Sequence, residues 1–309
     1  MNTGKHLKTV AITGSSGTIG QALEKFLLKK GDSVKRLVRR AEVNDSEIFW
    51  NPKNKILDPD RLVGIDTVIN LAGVGIGDKR WSQKRMDQIL SSRVDGTNLI
   101  SETLAGFKSG EGPSTLINAS AIGYYGDTGS TQVTESSQQG KGFLADVCSK
   151  WEESTLEAEK AGIRVVHART GVVLSASGGL LKKLLTVFKL GLGGSIGSGQ
   201  QIMSWISLRD QIAAISWMID SEISGPVNLV SPEPLSNFEF SKTLGAVLKR
   251  PVVFKIPSPV LGLIYGRQLV EELMLASQFV VPEVLVKNDF AFSDSEIKKA
   301  LENEIKSAS

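Results

Sequence analysis

Residues 8–40 read KTVAITGSSGTIGQALEKFLLKKGDSVKRLVRR, and the fold is decided in this stretch. A β-branched run, Thr9 to Thr13, meets the glycine-rich turn GSSGTIG, Gly14 to Gly20, which opens an amphipathic segment, Thr18 to Lys30. Ile19, Leu23, Phe26 and Leu27 recur there at the spacing of one helix face. A second strand, SVKRLV, follows and ends on Arg39 and Arg40. Strand, glycine turn, helix and strand, in that order, form the setting in which such a turn holds a dinucleotide. Gly14 permits the tight turn, Gly17 lets a pyrophosphate approach the backbone, and Gly20 lets the helix lie close on the strand. Ser15, Ser16, Thr18 and Ile19 complete the turn and supply the first helical amides, whose dipole favours phosphate charge. The glycine spacing is G-x-x-G-x-x-G, and a turn that binds nothing is the alternative reading.

The terminal arginines bear on which dinucleotide. Where NAD is bound, an acid near the end of the second strand accepts hydrogen bonds from the adenosine ribose. Arg39 stands at that place, and an arginine suits a 2′-phosphate through bidentate, charge-assisted bonds. The expected cofactor is therefore NADP(H). Glu42 lies close by, and a solvated basic edge is the alternative.

Outward from this stretch the same alternation continues. TVINLAG (Thr67 to Gly73), STLINAS (Ser114 to Ser120) and IRVVHART (Ile163 to Thr170) read as strands. Helices are expected from Ser82 to about Leu104 and from about Phe143 to Ala161. The βαβα order implies an α/β fold, a Rossmann-type doubly wound parallel sheet covered by helices on both faces. From Val172 the pattern loosens into glycine-rich and proline-punctuated segments. We expect a cofactor domain over residues 1–173, with 204–228 returning to it. Residues 174–203 and 229–309 would form a smaller C-terminal substrate lobe.

Composition narrows the function classes. The 309 residues, 41% hydrophobic and 22% charged, suffice for a full core. A net charge of +3 with interspersed signs gives no nucleic-acid footprint, so no nucleic-acid partner is expected. Cys148 is the single cysteine, which excludes a disulfide framework and a thiolate metal site. No apolar run is long enough to span a bilayer and no signal-peptide stretch precedes Val10, so a cytoplasmic protein without a membrane partner is expected. His6 and His167 form no metal-ligand pattern, and no metal is expected. The oligomeric state has no signature in the chain.

Further motifs carry a resemblance. GSSGTIG, NLAG, SSRVDGTNLI, NASAIGYYG and RTGVVLS together resemble the extended branch of the short-chain dehydrogenase/reductase superfamily. DKRWSQKRMDQILSSRVDGT, SKWE, GLGGSIGSGQQIMSWISLRD and VPEVLVKNDFAFSDSEIKKAL resemble more narrowly its NADP(H)-binding "epimerase family" proteins, whose substrate is generally unassigned. The resemblance implies that Gly14 to Gly20 hold the pyrophosphate and Arg39 the 2′-phosphate. It sets Leu71, Ala72 and Gly73 by the adenosine, Gln88 and Arg93 on a helix facing the cofactor, and Val173 at the nicotinamide amide.

The superfamily's chemistry uses a Ser that holds the substrate oxygen, a Tyr that passes a proton, and a Lys that lowers the Tyr pKa from one helical turn away. By this resemblance Ser120 and Lys150 match the serine and lysine, but Asp146 stands where the tyrosine belongs. Tyr124 and Tyr125 are the candidate substitutes; the alternative has one packed and the other lining the pocket. Trp81 and Trp205 could line a substrate cleft or be packing residues, and Cys148 reads as a small core residue. Two functions follow. One is an NADP(H)-dependent oxidoreductase or nucleotide-sugar-epimerase-like enzyme acting on an unidentified small molecule. The other is a non-catalytic NADP(H)-binding sensor or regulator.

Overall fold

The computed structural model describes residues 7–41, 44–108 and 110–307. His6 and Glu42 lie outside them. The chain forms β1 (Thr9–Thr13), α1 (Thr18–Lys30), β2 (Ser33–Val38), β3 (Glu47–Asn51), β4 (Ile56–Leu57), β5 (Thr67–Asn70), α2 (Gln83–Ala105) and β6 (Thr115–Ala121). It continues through α3 (Phe143–Glu153), α4 (Leu156–Lys160), β7 (Arg164–Thr170), β8 (Val172–Leu174), α5 (Gly179–Lys189), β9 (Gly194–Ile196), β10 (Ile202–Met203) and β11 (Trp205–Ser207). The last part holds α6 (Leu208–Asp220), β12 (Gly225–Leu229), β13 (Leu235–Ser236), α7 (Asn237–Leu248), β14 (Phe254–Ile256), α8 (Ser258–Tyr265), α9 (Arg267–Leu269), α10 (Glu283–Lys287) and α11 (Ile297–Ser307).

Eight strands form one sheet in the order β12-β7-β6-β5-β1-β2-β3-β4, parallel except for the β3–β4 pair. The doubly wound fold follows from alternation within each strand. Val10, Ile12, Ile69, Ile117 and Val166 point to one face and pack with Leu23 and Leu27 of α1 and Ile212, Ile215 and Ile219 of α6. Ala11, Val68, Leu116 and Val165 point to the other and pack with Leu99, Ile100 and Leu104 of α2 and Ala158 of α4. Both faces are covered, so the strands read as nearly continuous apolar runs.

Local chemistry sets the boundaries. Helix α1 begins at Gly17 and ends at Gly31, whose φ of 100° places it in the left-handed cap conformation, its N–H reaching back to Leu27 and Leu28. Its buried stripe is Gly20, Leu23 and Leu27, while Phe26 is exposed, since only one narrow stripe of a helix can face a sheet. The expected helix 143–161 is broken between Glu153 and Leu156, where the Ser154 and Thr155 hydroxyls donate to the Lys150 and Glu152 carbonyls. Strands β3 and β4 extend the sheet past the second strand, an extension absent from the sequence reading.

The smaller lobe has its own core, with Leu181, Leu185 and Phe188 of α5, Trp205 of β11, Phe240 and Leu244 of α7, and Ala300 and Leu301 of α11. Helix α6 and strand β12 belong to the large sheet's layers. Residues 280–292 also leave the lobe: Leu285, Phe290 and Phe292 pack into the core under the sheet.

Candidate functional site

Strand β1 has β2 on one side and β5 on the other, so the chain reverses its direction of winding between β1 and β5. A crevice opens at the carboxyl ends of strands at such a point. The glycine turn leaves β1 there. Gly14 has φ 66°, and a Cβ on it would stand 2.7 Å from the Leu71 carbonyl oxygen. A Cβ on Gly20 would stand 2.4 Å from the Gly14 oxygen, so α1 lies on the turn at a distance only glycine allows. Gly17 differs. Its φ is −78°, and an added Cβ would meet only the Gly14 oxygen, at 3.3 Å. No conformational need makes it glycine, and beyond that oxygen its outer side is open to an approaching group. The first amides of α1 have no intrahelical acceptor and point the same way.

The rest of the turn is packed. Ser15 is buried, Ser16 is exposed with its carbonyl accepting from Gln21, and Ile19 packs on the core. Thr18 lies against Gly178 of the loop before α5, where a Cβ would come within 2.1 Å of the Thr18 hydroxyl. Across the crevice, the Leu71 and Ala72 amides donate to Thr13 Oγ1 at 3.0 and 3.1 Å. Gly73 faces Arg93, its hypothetical Cβ 3.2 Å from the guanidinium carbon. Arg93 donates to the Val74 and Ile89 carbonyls and lies 4.9 Å over the Trp151 ring. Burial lowers its pKa to about 10. Val173 pairs with Ile206 on the short β8–β11 ladder. Gln88 is exposed and accepts a bond from Arg85.

At the end of β2, Glu47 is engaged by Arg36 at 3.1 Å and by Arg40. Arg39 is exposed and has no hydrogen bond or ion pair among the described residues. An acid near the strand end is therefore committed to its neighbours, and no acid among the described residues pairs with the Arg39 guanidinium.

The proton-handling candidates are less well gathered. Asn118, Ser120, His167 and Arg169 share the alternation of Leu116 and Val165 and so point to the α2–α3 side of the sheet. Ser120 is buried and donates to Glu152 of α3 at 2.6 Å. Arg169 grips the same carboxylate through two bonds of 2.8 Å. Burial works against the charge of Arg169, but the bonds to Glu152 outweigh it and hold the guanidinium pKa above its ordinary value. Lys150 sits two residues before Glu152, which turns it to another side of α3, and it is exposed. Asp146, one turn earlier, is exposed too and accepts from Gln139 at 3.2 Å. The structure does not bring Lys150 to Ser120. Besides Glu152, α3 brings Leu144 and Cys148 to the turn just past β6, where a Cβ on Gly123 would stand 3.4 and 3.7 Å from them.

The two tyrosines divide. Tyr125 is buried, donates to Asn228 at 2.7 Å and accepts from Arg169 at 2.9 Å. Burial raises its pKa to about 12. Tyr124 is half-buried, and the Arg169 guanidinium lies 3.5 Å over its ring centre. Trp205 is a core residue of the lobe and donates to the Glu233 carbonyl. Trp81 bonds the Ile76 carbonyl and meets Phe143 edge-on, joining the loop after β5 to the start of α3.

Sequence reasoning missed a buried polar row under the crevice. Thr13 Oγ1 donates to Asn70, and Asn70 donates to Asn118 and Thr97, each at 2.7 to 2.8 Å. Thr97 also accepts from Trp151. It missed Glu152 and Arg169 likewise. The available signal was a polar residue at the last inward position of each apolar strand, as in TVIN and HART.

A parallel sheet with a glycine turn, open backbone and helix N-terminus at its switch point defines a dinucleotide-binding Rossmann protein. The model of the NAD dependent epimerase/dehydratase family matches residues 10–229, and the chain belongs to that family. A domain of unknown function, DUF1731, matches residues 256–304. Epimerase family protein Mb2239 of Mycobacterium bovis is 43% identical over 293 residues, 94% of this chain and 96% of that protein. Epimerase family protein YfhF of Bacillus subtilis is 34% identical over 298 residues, 94% of this chain and 96% of that protein. Among solved structures, the human epimerase family protein SDR39U1 with NADPH has a TM-score of 0.87 at 28% identity, covering 96% of this chain and 99% of that one. A nucleoside-diphosphate sugar epimerase from Corynebacterium glutamicum has a TM-score of 0.79 at 35% identity, covering 97% of this chain and 58% of that one.

Proposed function

We propose that the protein binds NADP(H) in the β1–β5 crevice and acts as an oxidoreductase or nucleotide-sugar-epimerase-like enzyme on a small molecule. The observation that carries this reading is an open Gly17 together with an Arg39 that pairs with no acid among the described residues. Gly14 to Gly20 would hold the pyrophosphate, Arg39 the 2′-phosphate and Leu71 to Gly73 the adenosine side. The cofactor, when bound, supplies hydride chemistry at its nicotinamide. The chain's own contribution is to bind and orient it. The human relative's NADPH supports the choice between the two dinucleotides.

The second reading, a non-catalytic NADP(H) sensor or regulator, is favoured by a separate observation. Ser120 is committed to Glu152, Tyr125 to Asn228 and Arg169, and Lys150 lies on the exposed side of α3. Titration of the full-length protein with NADPH and NADH, followed by turnover assays with NADPH and a panel of carbonyl compounds and nucleotide sugars, separates the readings. Tight NADPH binding with turnover supports the enzyme, and binding without turnover supports the sensor. Equal affinity for the two dinucleotides would overturn the NADP(H) assignment.

A further inference from the structure

Exposed apolar side chains occur elsewhere on the molecule too, such as Val63 and Leu156. On the lobe they gather. Val253, Leu263 and Leu190 are 74%, 81% and 71% exposed, and Leu192, Phe254 and Ile264 are each at least half exposed. These positions are joined physically. Phe254 pairs with Gly194 on the β9–β14 ladder, and Arg250 donates to the Lys189 carbonyl at the end of α5. Leu192 donates its amide to Val187, and Pro257 leads from β14 straight into α8, none of whose residues is buried. Burial of Leu181, Leu185 and Phe188 turns the other side of α5, with Leu180, Val187 and Leu190, outward.

The charge on these segments has one sign. No Asp or Glu occurs in residues 161–209 or 240–270. Lys182, Lys189, Lys249, Arg250, Lys255 and Arg267 are exposed there. An isologous pairing of two copies would set these cations against their own equivalents, which disfavours a second copy as the occupant. Arg267 is paired with Glu271 at 2.6 Å, whereas Lys182, Lys189, Lys249, Arg250 and Lys255 form no ion pair among the described residues. An apolar centre rimmed by these cations matches the interfacial zone of an anionic bilayer, where aliphatic side chains enter the acyl boundary and Lys and Arg meet phosphate headgroups.

We propose that this face of the lobe, α5 with the β9–β14 ladder and α8, docks the protein peripherally on an anionic lipid surface. No helix among the described residues is long and apolar enough to cross a membrane.

Full-length protein is sedimented with phosphatidylcholine vesicles and with vesicles that also contain phosphatidylglycerol. Binding is expected only to the second kind, and it should weaken as salt screens the cations. The double variant Lys189→Gln, Lys255→Gln should bind roughly 25-fold more weakly, at about fivefold per charge. The double variant Leu263→Asp, Ile264→Asp, exposed positions that should leave the thermal midpoint unchanged, should lose binding, whereas Val63→Asp should not. No binding to phosphatidylglycerol vesicles at low salt would overturn the proposal. So would full binding by the Leu263, Ile264 variant, or a solution dimer that this variant dissociates while vesicle binding is absent in the parent.

Discussion

The Ser120 hydroxyl donates a 2.6 Å bond to Glu152, and Glu152 in turn holds Arg169 with two bonds of 2.8 Å, all three residues being buried. Ser120→Ala therefore removes one donor from a buried carboxylate. The expected cost is about 1.5–3 kcal/mol, as for a hydrogen bond to a charged group, with NADPH affinity unchanged. Thermal or denaturant unfolding alongside an NADPH titration checks this. Unchanged stability with lost turnover would instead mean that Ser120 acts on the substrate.

Arg36 and Arg40 occupy the Glu47 carboxylate, and Arg39 beside them pairs with no acid among the described residues. Replacing Arg39 by Asp should weaken NADPH binding by roughly 10- to 150-fold, the worth of one charge-assisted pairing, and leave NADH little affected. Dissociation constants for both dinucleotides, in parent and variant, give the answer. An unchanged NADPH constant in Arg39→Asp sinks the assignment.

The glycines of the turn should separate by mechanism. Gly17→Val places a side chain in open space outside the turn and should abolish cofactor binding in a folded protein. Gly20→Ala brings a methyl to 2.4 Å from the Gly14 oxygen and should cost stability before any ligand is added. Circular dichroism melts and NADPH titrations of the two variants distinguish these outcomes. A folded Gly17→Val that still titrates normally would show that the turn holds nothing.

The two tyrosines should part in the same manner. Tyr125→Phe leaves Asn228 and Arg169 each one partner short and should cost about 1–3 kcal/mol of stability. Tyr124 is half-buried, with its ring against the Arg169 cation and its hydroxyl in no hydrogen bond among the described residues, so it is the better-placed proton donor. In an active enzyme, Tyr124→Phe should lower turnover by about 10²-fold or more with little change in stability. Turnover within tenfold of the parent would assign the proton to water or another group.

His167 supplies a pH dependence. Its ring meets Thr155 at 2.9 Å, and burial lowers its pKa below 6.5 despite the nearby Glu152 and Glu159. Because the folded value lies below the unfolded one, the unfolded chain binds the proton more readily. Stability is then lost as pH falls through about 6.5 towards the folded value, and is intact above it. Melting temperatures of the parent and His167→Gln should converge as pH is lowered from 7.5 to about 5.5. A constant difference across that range would show that the ring titrates normally.

Much of this molecule was legible in the chain because it rests on local rules. Strand, glycine turn and helix follow one another within Thr9 to Lys30, so the turn, the sheet's winding and the expected dinucleotide could be read from spacing and backbone freedom alone. The place of Arg39, just past the end of the strand that follows, was legible for the same reason. The proton-handling residues were not, because the direction of a side chain depends on strand phase and helix rotation. One residue's shift in phase along β6 turns a side chain from the sheet's α1–α6 face to its α2–α3 face, and Ser120 lies in phase with Leu116, where Glu152 waits. Two residues' difference on α3 likewise separates the buried Glu152 from the exposed Lys150. Arg169 finds its carboxylate 17 positions away only once β7 and α3 are packed together. Backbone conformation is dictated by neighbours in sequence. The partner of a buried charge is chosen by neighbours in space.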